Sequence, residues 1–269
     1  MKPPLPREHG AWVMLFTPLT LGWLLAPVWQ AQISLFFVAS LSFFLLRHPL
    51  TVFVKRWNRP SKDWQYLQRW AVIYGGITVI SGGWLVFINQ LWWLLPAALL
   101  GGLLLLFNLW LVSKRQDMSV VGELTGIFGL AMGAPMAYYV SSGQFAPLAF
   151  LLWLINFLYF GGTVFYVKLK VRQQPRLPEP ESILDRFLQA KVCLGYQLLV
   201  FAILTVLILQ NNFLVWGTYL IFVPATLKMV WGAWQWQDKK SLNLKRLGMI
   251  ELVHTFIFAG LVWAVAIYG

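Results

Sequence analysis

"LWWLLPAALLGGLLLLFNLWLV", residues 91–112, is a run of 22 residues without a formal charge. As a helix it would rise about 33 Å, enough to cross a hydrocarbon core of about 30 Å. A helix apolar on every side needs apolar surroundings on every side. With 59% of its 269 residues hydrophobic and 11% charged, the chain is too apolar to keep a wet exterior in solution. The run therefore reads as a membrane span, and its neighbours follow the same rule. Comparable windows fall at about 10–29, 31–47, 70–89, 120–141, 146–168, 192–210, 213–230 and 249–268. The expected fold is all-α: a polytopic membrane helical bundle of nine transmembrane helices in a single domain, 1–269.

The connections sort by charge. One set comprises the N-terminus and the segments near 47–69, 113–119, 168–191 and 228–248, and all 21 Lys and Arg lie in it or at its helix ends. The other comprises "QAQ" at 30–32, "NQ" at 89–90, "SSGQ" at 141–144, "QNN" at 210–212 and the C-terminus, with no charged residue. A single missed helix would scramble this division. By the positive-inside bias the basic face is cytoplasmic, which gives N-inside and C-outside. A net charge of +12 would suggest nucleic acid in a soluble protein. Here it marks a membrane face, and no nucleic-acid partner is expected. The lone Cys193 excludes an internal disulfide framework and a Cys-rich metal site. The first apolar run reads as a retained span, with no removable signal peptide.

Two inner connections are long. Residues 47–69 read "RHPLTVFVKRWNRPSKDWQYLQR", and 168–191 read "KLKVRQQPRLPEPESILDRFLQAK". The second passes through prolines and restarts at Ser182–Asp185, a capping-box-like N-terminus that predicts a short amphipathic helix on the inner surface. The two loops are about 120 residues apart, which hints at a loose internal duplication. The "GG" pairs at 75–76, 82–83, 101–102 and 161–162 are expected to let helices approach closely. Trp29, Trp92, Trp93 and Trp216 fall at expected interfaces, where amphipathic rings are favoured.

Ionisable residues at or inside the spans are the informative ones, because an unpaired charge in hydrocarbon is expensive. They are Arg7, Glu8 and His9 before the first span, Arg47 and His48 after the second, and Lys114 and Arg115 after the fourth. Glu123 enters the fifth; Lys168, Lys170 and Arg172 leave the sixth; Glu251 and His254 enter the ninth, three residues apart and so on one face. Asn108 and Asn156 lie deeper. Basic loop residues are explained by headgroup contacts. Carboxylates are not, since they do not set topology. Glu8, Glu123 and Glu251 therefore suggest either a structural ion-pair network or a polar, inward-facing cavity for an anionic amphiphile. No metal is expected: one Glu-x-x-His pair is too little. The sequence names no cofactor, and it leaves the oligomeric state open.

"PREHGAW" at 6–12, "GELTGIFGLAMGAPMAYY" at 122–139 and "KRLGMIELVH" at 245–254 resemble the YwiC-like bacterial integral membrane proteins. That likeness implies a bacterial-type inner membrane, plasma or thylakoid. A more distant resemblance, carried by "LVSKRQDMSVVGELTGIFGLAMGAPMAYY" at 111–139, is to UbiA-type intramembrane prenyltransferases. It implies a cavity open to the cytoplasmic side, framed by the loops after the second and sixth helices. That family holds Mg²⁺ and an isoprenyl diphosphate through two Asp-rich motifs; the matching stretches here, "LRHPLTVFVKRWNRP" and "INFLYFGGTVFYVKLKVRQ", contain no aspartate. Arg, Lys, His and Tyr stand there instead, and Arg forks bind oxyanions directly.

These readings converge on membrane lipids as partners and on an isoprenoid- or quinone-like ligand. Arg7, Arg47, Asn108, Lys114, Arg115, Tyr166 and Arg172 are the candidate binding residues. His9, Glu8, Glu123, Glu251 and His254 are the candidate catalytic ones, with either His a possible proton carrier near neutral pH. A transporter, or a non-catalytic membrane partner of another complex, is the alternative; against the transporter, no inverted pair of broken, charge-bearing helices is visible.

Overall fold

A computed structural model describes residues 3–5, 9–28, 30–56, 64–210, 216–236 and 243–268. Among them the chain is helical, without strands. The backbone divides into two compact units, Met1–Leu154 and Ile155–Gly269.

The first unit holds α1 (His9–Leu24), α2 (Gln32–Lys55), α3 (Trp64–Gly83), α4 (Leu94–Ser113), α5 (Val120–Ala131), α6 (Gly133–Ser142) and the start of α7 (Pro147–Lys168). A π turn, Trp84–Ile88, prolongs α3. The break between α5 and α6 falls at Met132, three residues before Pro135, whose ring nitrogen has no proton for the helical ladder. The core joins Leu15 and Leu19 of α1, Phe44 and Leu45 of α2, Tyr74 of α3 and Ala137, Tyr139 and Val140 of α6. The tightest crossing is between α1 and α6, where Gly22 lies against the backbone of Ala134 and Leu19 against Gly133. The uncharged connections meet at one end: Asn89 Nδ2 donates to Gln32 Oε1 (2.8 Å), and Gln32 Nε2 donates to the Val140 carbonyl (2.7 Å). The rings of Tyr139 and Phe145 stack beside them, 4.6 Å between centroids.

The second unit continues α7 through a π turn (Leu169–Gln173) and a 3₁₀ turn (Gln174–Arg176). It then holds α8 (Ile183–Gln189), α9 (Lys191–Gln210), α10 (Thr218–Trp234) and α11 (Leu244–Tyr268). Tyr159 and Phe258 stack at 3.8 Å between α7 and α11, and Phe222 of α10 meets Phe258 edge-on.

Every expected window contains a helix. Among the described residues, seven helical stretches are long and apolar enough to cross a membrane. At 16 and 17 residues, α1 and α10 fall short of that length. Several helices outrun their apolar windows: α2 continues past Arg47 through Pro49 to Lys55, α3 begins at Trp64, and α11 begins at Leu244. Backbone hydrogen bonding does not stop where hydrocarbon stops, so polar residues that end a hydropathy window need not end a helix. Large apolar side chains stand exposed along α3 and α4, among them Val72, Val79, Ile80, Leu99 and Leu106. A surface of this kind calls for lipid rather than water.

The glycine pairs meet the expectation unevenly. A Cβ at Gly75, Gly76, Gly82 or Gly83 would meet nothing within 4 Å. Close approaches occur at Gly162 of the 161–162 pair, where a Cβ would meet Met229 Cε at 2.9 Å, and at the solitary Gly22 and Gly232, the latter pressed by the Tyr166 ring and the Lys170 stem.

Candidate functional site

In the first unit the charged end is built by the turn from α4 to α5. Gln116 N–H donates to the Leu111 carbonyl (2.8 Å) and Arg115 N–H to that of Val112 (3.0 Å), closing α4 in a Schellman motif. The left-handed position, usually glycine, is Arg115 with φ 58°. Ser119 then caps α5, its Oγ accepting from Gly122 N–H at 3.1 Å. Asp117, between the two helices, receives Lys55 Nζ at 2.6 Å.

Deeper by about two turns of α4 is Asn108, which is buried. Arg47 Nε donates to its Oδ1 (3.1 Å), and its Nδ2 donates to the Gly122 carbonyl (3.3 Å). A guanidinium has no acceptor and a carbonyl no donor, so these partners fix the orientation of the amide. Held by Nε, the half-buried Arg47 keeps its two terminal nitrogens without a hydrogen-bond partner among the described residues. Lys114 and Arg115 are exposed at the end of the same helix and have no ion pair among the described residues. Arginine forks of this kind match the geometry of phosphate and carboxylate.

Since a non-glycine residue in the left-handed region is strained by about 1–2 kcal/mol, Arg115→Gly should stabilise the detergent-solubilised chain by about 1 kcal/mol. Denaturant titration would register it as a raised midpoint; an unchanged or lowered midpoint would show that the Arg115 side chain contributes more to the fold than its backbone costs.

The second unit carries a different arrangement. Lys228 Nζ on α10 donates to both oxygens of Glu251 on α11, at 2.7 and 2.8 Å. Their side chains are 3% and 15% exposed. The ammonium also sits over the Tyr166 ring, 4.7 Å from its centroid. Thr255 Oγ1 donates to the Glu251 carbonyl (2.8 Å) and receives the Tyr159 hydroxyl (3.5 Å). His254 Nδ1 is 2.9 Å from the Ile250 carbonyl, an acceptor, so this nitrogen is the donor.

Three side chains of the 168–191 segment close the end of α10. Lys170 Nζ donates to the Gln235 carbonyl (2.5 Å), Gln174 Nε2 to that of Gly232 (3.0 Å) and Arg186 Nη1 to that of Trp234 (3.0 Å). Helix C-termini present unsatisfied carbonyls and a partial negative charge, which these donors match. Arg186 also pairs with Glu179 at 2.7 Å.

Of the residues singled out from the sequence, Arg47 and Asn108 are in direct contact, with Lys114 and Arg115 farther along the Asn108 helix. Glu123 stands in the first turn of α5, where the helix dipole favours a carboxylate. Tyr166 and Glu251 meet at Lys228, and Arg172 lies in the π turn after α7. Arg7 and Glu8 lie outside the described residues; His9 is described only as the first residue of α1. Among the described residues, no three His, Cys, Asp or Glu side chains are grouped so as to hold a metal ion. Lys228 was missed. Its signal is a lone lysine inside the 213–230 apolar window, which requires a counter-charge from a neighbouring helix.

The profile of the YwiC-like protein family matches residues 5–138. The chain is similar to the "Uncharacterized protein YwiC" of Bacillus subtilis (strain 168), with 24% identity over 267 residues covering 96% of each chain. It is also similar to an "Uncharacterized protein" of Haemophilus influenzae (strain ATCC 51907 / DSM 11121 / KW20 / Rd), with 26% identity over 273 residues, again 96% of each. No solved structure matches.

Proposed function

The chain belongs to the YwiC-like protein family, and from that premise we propose a bacterial inner-membrane protein that binds an anionic lipid- or isoprenoid-like molecule on its basic side. In this reading there are nine spans, N-inside and C-outside, with α1 and α10 as short crossings. The headgroup is gripped by the Arg47 fork and attracted by Lys114 and Arg115, while the apolar tail lies along the helices. A UbiA-like arrangement and a cytoplasm-facing pocket belong to the same proposal.

The observation that carries it is the buried Asn108 amide holding Arg47 by Nε. A basic residue that only marked topology would need no such orientation. In the second unit a structural role is favoured instead, because the Glu251 carboxylate expected at a pocket is bound on both oxygens by Lys228.

Mass spectrometry of the full chain purified in several mild detergents tests this. A co-purified anionic amphiphile is expected, and Arg47→Ala should reduce its occupancy about tenfold or more, as loss of a charge-assisted hydrogen bond implies. Lys114→Ala and Arg115→Ala should act more weakly, being exposed. A wild-type chain that carries no such molecule, or an Arg47→Ala chain that carries as much, would overturn the reading. Reporter fusions at 113–119 and 168–191 should report the cytoplasm, and fusions at 141–144 the opposite side.

A further inference from the structure

The α8 helix presents an apolar edge that protein does not cover. At about 100° per residue, Ile183, Leu184, Phe187 and Leu188 fall within an arc of about 140°, with Asp185, Arg186 and Gln189 opposite. Phe187 packs onto the cluster of Tyr166, Leu169, Ala190 and Met229. Ile183, Leu184 and Leu188 remain 58%, 68% and 55% exposed. The roll of the helix is fixed from its polar side, since Arg186 is bonded to the Trp234 carbonyl and to Glu179.

The location of α8 is fixed as well. It is tied through Ala190 to α9, and the Pro147–Arg176 stretch ends seven residues before it. Both flanking helices are long and apolar enough to span. A seven-residue helix so tethered cannot leave the membrane surface. Segment 168–191 carries Lys168, Lys170, Arg172, Arg176, Arg186 and Lys191 against Glu179, Glu181 and Asp185, an excess of three positive charges. Arg176 and Lys191 are exposed, without an ion pair among the described residues.

We propose that α8 is an interfacial helix whose Ile183–Leu184–Leu188 edge lies at the headgroup–acyl boundary of an anionic leaflet, with its basic flanks on the headgroups. Apolar burial and attraction to anionic lipid act together in such helices. The proposal rests on the chain spanning a membrane and not on the ligand reading of Arg47, so either can fail alone.

Nitroxide labels at Leu184→Cys, Leu188→Cys and Asp185→Cys, in the full chain reconstituted into phosphatidylethanolamine–phosphatidylglycerol vesicles, distinguish the outcomes. The parent chain, whose only cysteine is buried, is the blank. Power saturation should give labels at 184 and 188 an oxygen-to-nickel-chelate accessibility ratio several-fold above that at 185. Ile183→Cys probes the same edge if either leucine variant fails to reconstitute. Equal ratios at all positions would place the helix in water, and labels at 184 and 188 shielded from both reagents would mean that protein covers the edge. Either result overturns the proposal.

Discussion

Glu251→Ala should cost the chain about 3–5 kcal/mol of stability, because it leaves the Lys228 ammonium buried without its counter-charge. Both carboxylate oxygens contact that ammonium, and the lysine side chain is 3% exposed, so water cannot easily take the place of the carboxylate. Desolvation makes such a pair expensive to assemble, so removing both charges should be far gentler than removing one. Lys228→Met with Glu251→Leu is expected to lie within about 1–2 kcal/mol of the parent. Unfolding of the purified chain by SDS titration measures all three. A single variant as stable as the parent would show that the ion pair does not form. A single variant with normal abundance but no bound amphiphile would instead make Glu251 part of a site.

The second large effect is expected at Gly22. A Cβ there would run into the Ala134 carbonyl, a contact of backbone with backbone that no rotamer change relieves. Gly22→Val should therefore fall at or beyond the upper end of the overpacking range, about 3 kcal/mol or more, and lower the yield of folded chain. Gly75→Ala and Gly82→Ala are the matched controls. Their Cβ atoms meet nothing, so each should be neutral or gain up to about 1 kcal/mol from helix propensity. Equal behaviour of the three variants in the same titration would mean that α1 and α6 do not cross closely.

The membrane-bundle character was legible because hydrocarbon imposes length and composition on any span, and 91–112 satisfies both. The separation of charged from uncharged connections in the first unit was legible too. The uncharged connections of the first unit meet through Gln32 and Asn89, and Lys55 reaches Asp117 at the opposite end of α2. Helix ends were not, because Arg47 and His48 interrupt hydropathy without interrupting hydrogen bonding. The packing glycines were legible only in part: Gly162 of the 161–162 pair does sit against Met229, but Gly75, Gly76, Gly82 and Gly83 meet nothing, because close approach depends on which face a residue occupies, and Gly22 is solitary. Arg47 and Asn108, which the structure brings into contact, stood out because polar residues in an apolar stretch are conspicuous. The partner of Glu251 was not, since charge complementarity acts between helices while a sequence is scanned along them.

The clasp of Asn89, Gln32 and Val140 bears on how a molecule would be supplied. Arrival at the first unit from the uncharged side would require breaking two hydrogen bonds and parting the stacked rings of Tyr139 and Phe145. Arg47 lies in the half of α2 nearer Lys55, away from both contacts. On the proposed ligand reading, a molecule held at Arg47 would therefore be expected from the cytoplasmic leaflet.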